Sequence, residues 1–148
     1  MKSEPDVYGI ADLQRDGETL WDGVRNYQAR NFLRQMQVGD RAFFYHSNTK
    51  PPGVAGLMRV TAAQVVDPTQ FDANSPYFDP KSTQEEPRWQ TVKVAFEETF
   101  SELLSLSALR QQFTEEDLLI LRRGNRLSVV PIEEPVAEKL IALAGRAG

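Results

Sequence analysis

An α+β fold of barrel-like form is what this sequence predicts, on three observations. Long segments of strand character occur at Arg41–His46, Val54–Val66, Arg88–Phe100 and Arg126–Ile132. Short helical segments are interleaved among them, and no strand-helix-strand unit of the parallel type repeats, which argues against a doubly wound sheet. The length of 148 residues suits one domain, 1–148, with one sizeable core.

The elements follow in order. Pro5 discourages a helix at the start, so Met1–Asp6 reads as the end of an edge strand. Ile10–Arg15, closed by Asp16-Gly17, suits one or two helical turns, and Glu18–Trp21 reads as extended, delivering Trp21 to the turn dipeptide Asp22-Gly23. Asn26 is a good N-cap for an amphipathic helix ending near Gln37, with Phe32, Leu33 and Met36 toward the core and Arg30 and Arg34 outward. Strong β-formers then make Arg41–His46 a strand, and Ser47–Gly53, with two prolines and a glycine, must be a loop. Val54–Val66 is a long strand in which Gly56 marks a bulge or bend.

Four prolines between Pro68 and Pro87 force an irregular loop, and Phe71, Tyr77 and Phe78 favour a packed one. Arg88–Phe100 alternates with period two. A short helix from Ser107 to Gln112, a second one capped by Thr114 and stopped at Arg123-Gly124-Asn125, the strand Arg126–Ile132 and a helix from Pro135 complete the chain.

Composition removes several classes of function. No window approaches a membrane span, and Met1–Asp6 is polar where a signal peptide would turn apolar. No cysteine is present, so there is no disulfide, thiolate nucleophile or thiolate metal ligand, and a cytoplasmic address is expected. His46 is the single histidine, which closes multi-histidine metal sites, and no phosphate-binding glycine loop occurs. Neither metal nor cofactor is called for, and the chain reads as non-catalytic. The net charge of −4 argues against a non-specific nucleic-acid binder, yet residues 21–50 hold five basic side chains against two acidic ones.

That basic region is also where the chemistry concentrates. Trp21–Asn48 carries rings able to stack on a nucleobase, amides and hydroxyls able to read its edge, and arginines able to hold phosphates. Trp21, at a chain reversal before an Arg-rich helix, is assigned to a site, and Trp89, flanked by strand, to the core. An enzyme or small-molecule binder using the same pocket for a free nucleobase, nucleoside or similar ring compound is the alternative.

Five blocks carry a resemblance: Lys2–Pro5, Trp21–Arg34, Phe44–Asn48, Ser75–Ser82 and Arg123–Val129. In this order they closely resemble the EVE domain family of the PUA-like superfamily, to which YTH domains also belong. The resemblance implies a PUA-like mixed β pseudo-barrel surrounded by short helices. It also implies non-catalytic recognition of a modified base of 5-methylcytosine type or another kind, in DNA or RNA; a monomer is expected. Its motif matches place Ser3, Trp21, Asn26, Tyr27, Tyr45, His46, Ser47 and Asn48 at a base pocket, with Lys2, Arg25, Arg30, Arg126 and Ser128 as rim or phosphate contacts. Members of that family usually carry a short hydrophobic stretch before the Lys-Ser-Glu-Pro block. Here Met1 directly precedes Lys2, which implies a shortened first strand.

Overall fold

Alternation along one strand, β3 (Arg41–His46), divides the apolar interior in two. In the computed structural model, which describes residues 1–147, Ala42 and Phe44 enter a cluster with Leu13, Trp21, Leu33, Met58 and Val92. Phe43 and Tyr45 enter a second one with Val54, Leu57, Leu109 and Leu140. Successive strand residues point to opposite faces, so six residues commit the sheet to two apolar layers.

The layers are supplied by β1 (Lys2–Ser3), α1 (Pro5–Tyr8), α2 (Ile10–Asp16), β2 (Glu18–Leu20), α3 (Tyr27–Gln35), β3, β4 (Gly53–Val66), β5 (Gln90–Ser105), α4 (Leu106–Gln112) and α5 (Glu134–Ala147). Helix α3 begins at the expected cap, with Asn26 accepting from the Ala29 N–H, and buries Ala29 and Leu33 against the first layer. The predicted bulge is present, since the β4–β5 register shifts between Val54 and Gly56.

Pro5 does not prevent a helix. It occupies the first turn of α1, where no N–H is required and its fixed φ suits the helix. Two other expectations fail in the C-terminal third. Thr114 and Asp117 exchange the two hydrogen bonds of a capping box, but only turns and a 3-10 turn at Leu119–Leu121 follow. Arg126–Ile132 forms no strand.

The barrel is corrected for the same reason. The five strands form one open sheet in the order β1-β3-β4-β5-β2, with β1 parallel to β3 and the other pairs antiparallel. The two edge strands have only two and three residues. Arg126–Ile132 meets β1 through the Lys2 N–H to Ser128 carbonyl bond (2.8 Å), and Pro131 has no N–H to extend a ladder. The α+β class stands, as an open mixed sheet with helices around it.

Close strand approach makes glycine indispensable at two places on β4, Gly53 against the Leu104 carbonyl and Gly56. A Cβ on Gly56 would lie 2.1 Å from the Glu98 carbonyl oxygen across the β4–β5 pair. Backbone cannot yield as a side chain can, so Gly56→Ala is expected to destabilise the protein by about 3 kcal/mol, at the upper end of overpacking costs. Chemical denaturation checks this, and an unchanged midpoint would show that the strands part without strain.

Candidate functional site

The turn after β2 builds the site. Gly23 has φ +82°, and a Cβ there would fall 2.6 Å from Cε2 of Tyr77, so the ring of Tyr77 packs where only glycine leaves room. Asp67, at the end of β4 and 1% exposed, fixes this turn. Its carboxylate accepts from the Gly23 N–H (2.9 Å), the Thr69 N–H (2.8 Å), the Thr69 hydroxyl (2.6 Å) and Arg25 Nη1 (3.2 Å). Arg25 in turn donates to the Tyr77 and Val24 carbonyls and to Thr69 Oγ1, each at 2.9 Å. One carboxylate and one guanidinium thereby join the β2–α3 turn to the loop between β4 and β5.

A cavity of about 760 Å³ opens beside this knot. Residues 19–26 form one wall, and Lys2, Ser3, Glu4, Val7, Tyr8, Ser47, Tyr77, Arg126 and Ser128 form the rest. Its polar atoms have defined roles. The Ser3 hydroxyl donates to the Tyr8 carbonyl (2.7 Å), which leaves it as an acceptor. Asn26 Oδ1 is used in capping α3, which leaves its NH2 as a donor. The Asp22 side chain makes no hydrogen bond to another residue among those described, and burial, with the nearby Asp67 charge second, pushes its carboxyl above the usual range. Burial lowers the Lys2 ammonium. Arg126, exposed at the rim, has no carboxylate partner among the described residues.

Of the residues expected at the pocket, Ser3, Trp21, Asn26 and Ser47 line this cavity, as do Lys2, Arg25, Arg126 and Ser128 from the expected rim. Trp21 is at the same time core: it is 7% exposed and packs edge-on against Phe44 at 5.4 Å. The other expected residues lie elsewhere. Tyr45 points to the opposite face of the sheet and lines a second, mostly apolar cavity of about 630 Å³ bounded by Phe43, Leu57, Val129 and Leu140. Period-two alternation separates it from His46, and the sequence already contained that information.

His46 accepts the Ile10 N–H at Nε2 (3.1 Å), holding the start of α2 as a neutral imidazole, and it does not line the cavity. Asn48 holds Glu4 through its amide (3.2 Å). Tyr27 lies outside, stacked on Trp89, and Arg30 lies beside that pair. Arg25 is a rim residue whose guanidinium is engaged within the protein.

Sequence reasoning missed Asp22 and Asp67, and named Tyr77 without assigning it to the pocket. Asp22 was absorbed into a turn dipeptide, and Asp67 into the end of a strand. The loop block Ser75–Ser82 was the available signal for Tyr77.

These features define a small α+β binding domain whose cavity mixes apolar walls, amide and hydroxyl groups and cationic rim residues. The chain belongs to the EVE domain family, whose sequence model matches residues 1–143. Thymocyte nuclear protein 1 of Danio rerio is 41% identical over 162 residues, covering 97% of this chain and 70% of that protein. The Homo sapiens relative of the same name is 38% identical over 161 residues, covering 97% and 72%. A Pseudomonas putida protein structure superposes with TM-score 0.93 at 49% identity over 97% of each chain. The structure of human THYN1 protein in complex with 5-methylcytosine-containing DNA superposes with TM-score 0.89 at 38% identity, covering 97% of this chain and 95% of that one.

The cytoplasmic expectation is overturned by the names of the vertebrate relatives, which are nuclear proteins.

Two outcomes follow from the knot and from His46. Asp67→Ala leaves Arg25 without its partner and the Gly23 N–H without an acceptor, so a loss of about 3–5 kcal/mol is expected in urea unfolding; a loss under 1 kcal/mol would show that the knot does not hold the turn. Burial pushes His46 below its ordinary value of 6.5. The unfolded state then binds more protons, so stability held above about pH 6.5 declines as pH falls through that value. His46→Gln, which offers Oε1 to the same N–H, is expected to decline less between pH 7 and 5; parallel declines would contradict this.

Proposed function

We propose that residues 1–148 act as a single domain that binds 5-methylcytosine in DNA, taking the base into the cavity beside Trp21 without catalysing a reaction on it. The observation that carries this reading is the convergence of Ser3, Asp22, Asn26 and Ser47 with the wall of Leu20, Trp21 and Val24 in one cavity. The likeness to the human protein bound to 5-methylcytosine-containing DNA supports it.

Each group has a part in recognition. The Asp22 carboxylate accepts from the exocyclic amine of cytosine, which thymine lacks, and the free Asn26 NH2 donates to the ring's acceptor edge. A methyl group carries no hydrogen bond, so it is sensed by removing it from water against an apolar wall, at about 1 kcal/mol. Flipping the base out of a duplex costs a few kcal/mol, which phosphate contacts from Arg126 and Lys2 offset. His46 is engaged with the Ile10 N–H and lies outside the cavity, so no histidine serves there as a general base.

Oligonucleotides identical except for 5-methylcytosine, cytosine or thymine at one position test the reading by fluorescence anisotropy. Binding of 5-methylcytosine about fivefold tighter than cytosine is expected from burial of one methyl; equal binding of all three would overturn it. Asp22→Ala is expected to narrow the margin over thymine about tenfold. Arg126→Ala should reduce the salt dependence by about one phosphate contact, leaving the order of preference intact.

A further inference from the structure

Tyr27 lies outside the cavity, and its surroundings form a second feature. Its ring stacks on Trp89 with centroids 4.8 Å apart and planes 13° apart. Trp89 is 5% exposed yet belongs to neither apolar cluster. Its indole N–H donates to Asp79 at 2.8 Å, and the guanidinium carbons of Arg25 and Arg30 lie 5.1 and 5.7 Å from its ring. Trp89 is therefore a fixed floor, and Tyr27, 50% exposed, is the surface laid on it. Arg30 is 4.6 Å from the Tyr27 ring and only 5.7 Å from that of Trp89, so it sits beside the stack. A guanidinium over the outer face of Tyr27 would be much farther from Trp89. With Trp89 against one face, half of the Tyr27 surface stays exposed.

Three arginines without an ion-pair partner among the described residues gather around this stack. Arg15, Arg25, Arg41 and Arg59 each have a carboxylate partner. Arg30, Arg34 and Arg88 have none among the described residues, and their hydrogen bonds go to neutral acceptors: the Arg88 carbonyl, Gln90 Oε1 and the Tyr27 hydroxyl. The Asp79 carboxylate on the Trp89 indole acts on Arg88 and Arg25, yet the guanidiniums of this surface outnumber it, and a bound anion would relieve their remaining repulsion. A half-exposed ring bordered by arginines that form no ion pair among the described residues matches the combination that holds a nucleotide by its base and its phosphate.

Position links this surface to the cavity. Asn26 lines the cavity and Tyr27 is the next residue in the chain, so the cavity wall runs directly into the stack. Arg25 lines the cavity and also reaches the ring of Trp89. We propose that the Tyr27–Trp89 stack, with Arg30, Arg34 and Arg88, is a second subsite for the nucleotide adjacent, on the same strand, to the one in the cavity. Its base stacks on the outer face of Tyr27 and its phosphate meets the guanidiniums. This rests on the reading of the cavity as a base pocket. Because every base has a π-face, the subsite accepts any neighbour, and it favours a strand that is single or locally opened over an intact duplex.

The test compares single-stranded oligonucleotides carrying 5-methylcytosine or cytosine at one position. Tyr27→Ala is expected to weaken binding of both about tenfold and to leave their ratio unchanged, whereas Tyr27→Phe retains wild-type affinity. Arg34→Gln with Arg88→Gln, which leaves both rings in place, is expected to lower the slope of log K against log salt by roughly 1.4, about 0.7 for each contact on a single strand. Thermal melts of each variant show whether it is folded. Wild-type affinity in Tyr27→Ala, or an unchanged salt slope in the double variant, overturns the subsite. A changed ratio overturns it too, since it would put Tyr27 in base reading. A wild-type ratio of one with intact dependence on Tyr27 overturns the base pocket instead, and no binding of either oligonucleotide overturns both.

Discussion

A buried carboxylate, Asp67, is the constraint on which the site depends. It sits where β4 ends and the long irregular loop begins, and its acceptors are engaged by the Gly23 N–H, by Thr69 and by Arg25. A buried charge is tolerated only when its lone pairs are filled, so the geometry of the groups around it is tightly prescribed. Gly23 is drawn in, Tyr77 packs over it, and the segment from Trp21 to Asn26 becomes a wall. Arg25, having spent its donors on this knot, sets the boundary between the cavity and the Tyr27–Trp89 stack.

The two sides of the sheet divide the labour. The layer beneath Phe44 and Trp21 supports the cavity wall, so Trp21 is a structural member that shows one edge to a ligand. Removing it would cost about 3–5 kcal/mol in packing before any effect on recognition could be read. The polar residues of the wall have no comparable burden. Most of their hydrogen-bonding capacity within the protein is either committed, as at Ser3 and Asn26 Oδ1, or left open, as at Asp22 and the Asn26 NH2. Such division is what allows recognition to be altered there without loss of the fold.

Much of this was legible in the sequence. The Asn26 cap, the strand Arg41–His46, the bulge at Gly56 and the packed, proline-rich loop all follow from local rules that tertiary contacts did not override. Arg126–Ile132 had strand composition but no partner edge to pair with, because β1 is two residues long and Pro131 interrupts the ladder. The barrel expectation failed with it. At the site, the list of residue types was right in kind and wrong in grouping. Tyr45 and His46 are neighbours in sequence and face opposite layers, and Tyr27 is turned toward Trp89, a residue 62 positions away in the chain that no local pattern could pair with it. Asp67 left no local signature because its meaning arises only from the segments it joins.

The central claim is that the cavity beside Trp21, on the Asp67 side of the sheet, is where the modified base sits. Titrating 15N-labelled protein with a 5-methylcytosine oligonucleotide and following backbone amide shifts tests it most directly. The account predicts the largest changes at Ser3, Asp22, Asn26, Ser47 and Ser128. Changes concentrated instead around Phe43, Tyr45 and Leu140, on the opposite face, would contradict it.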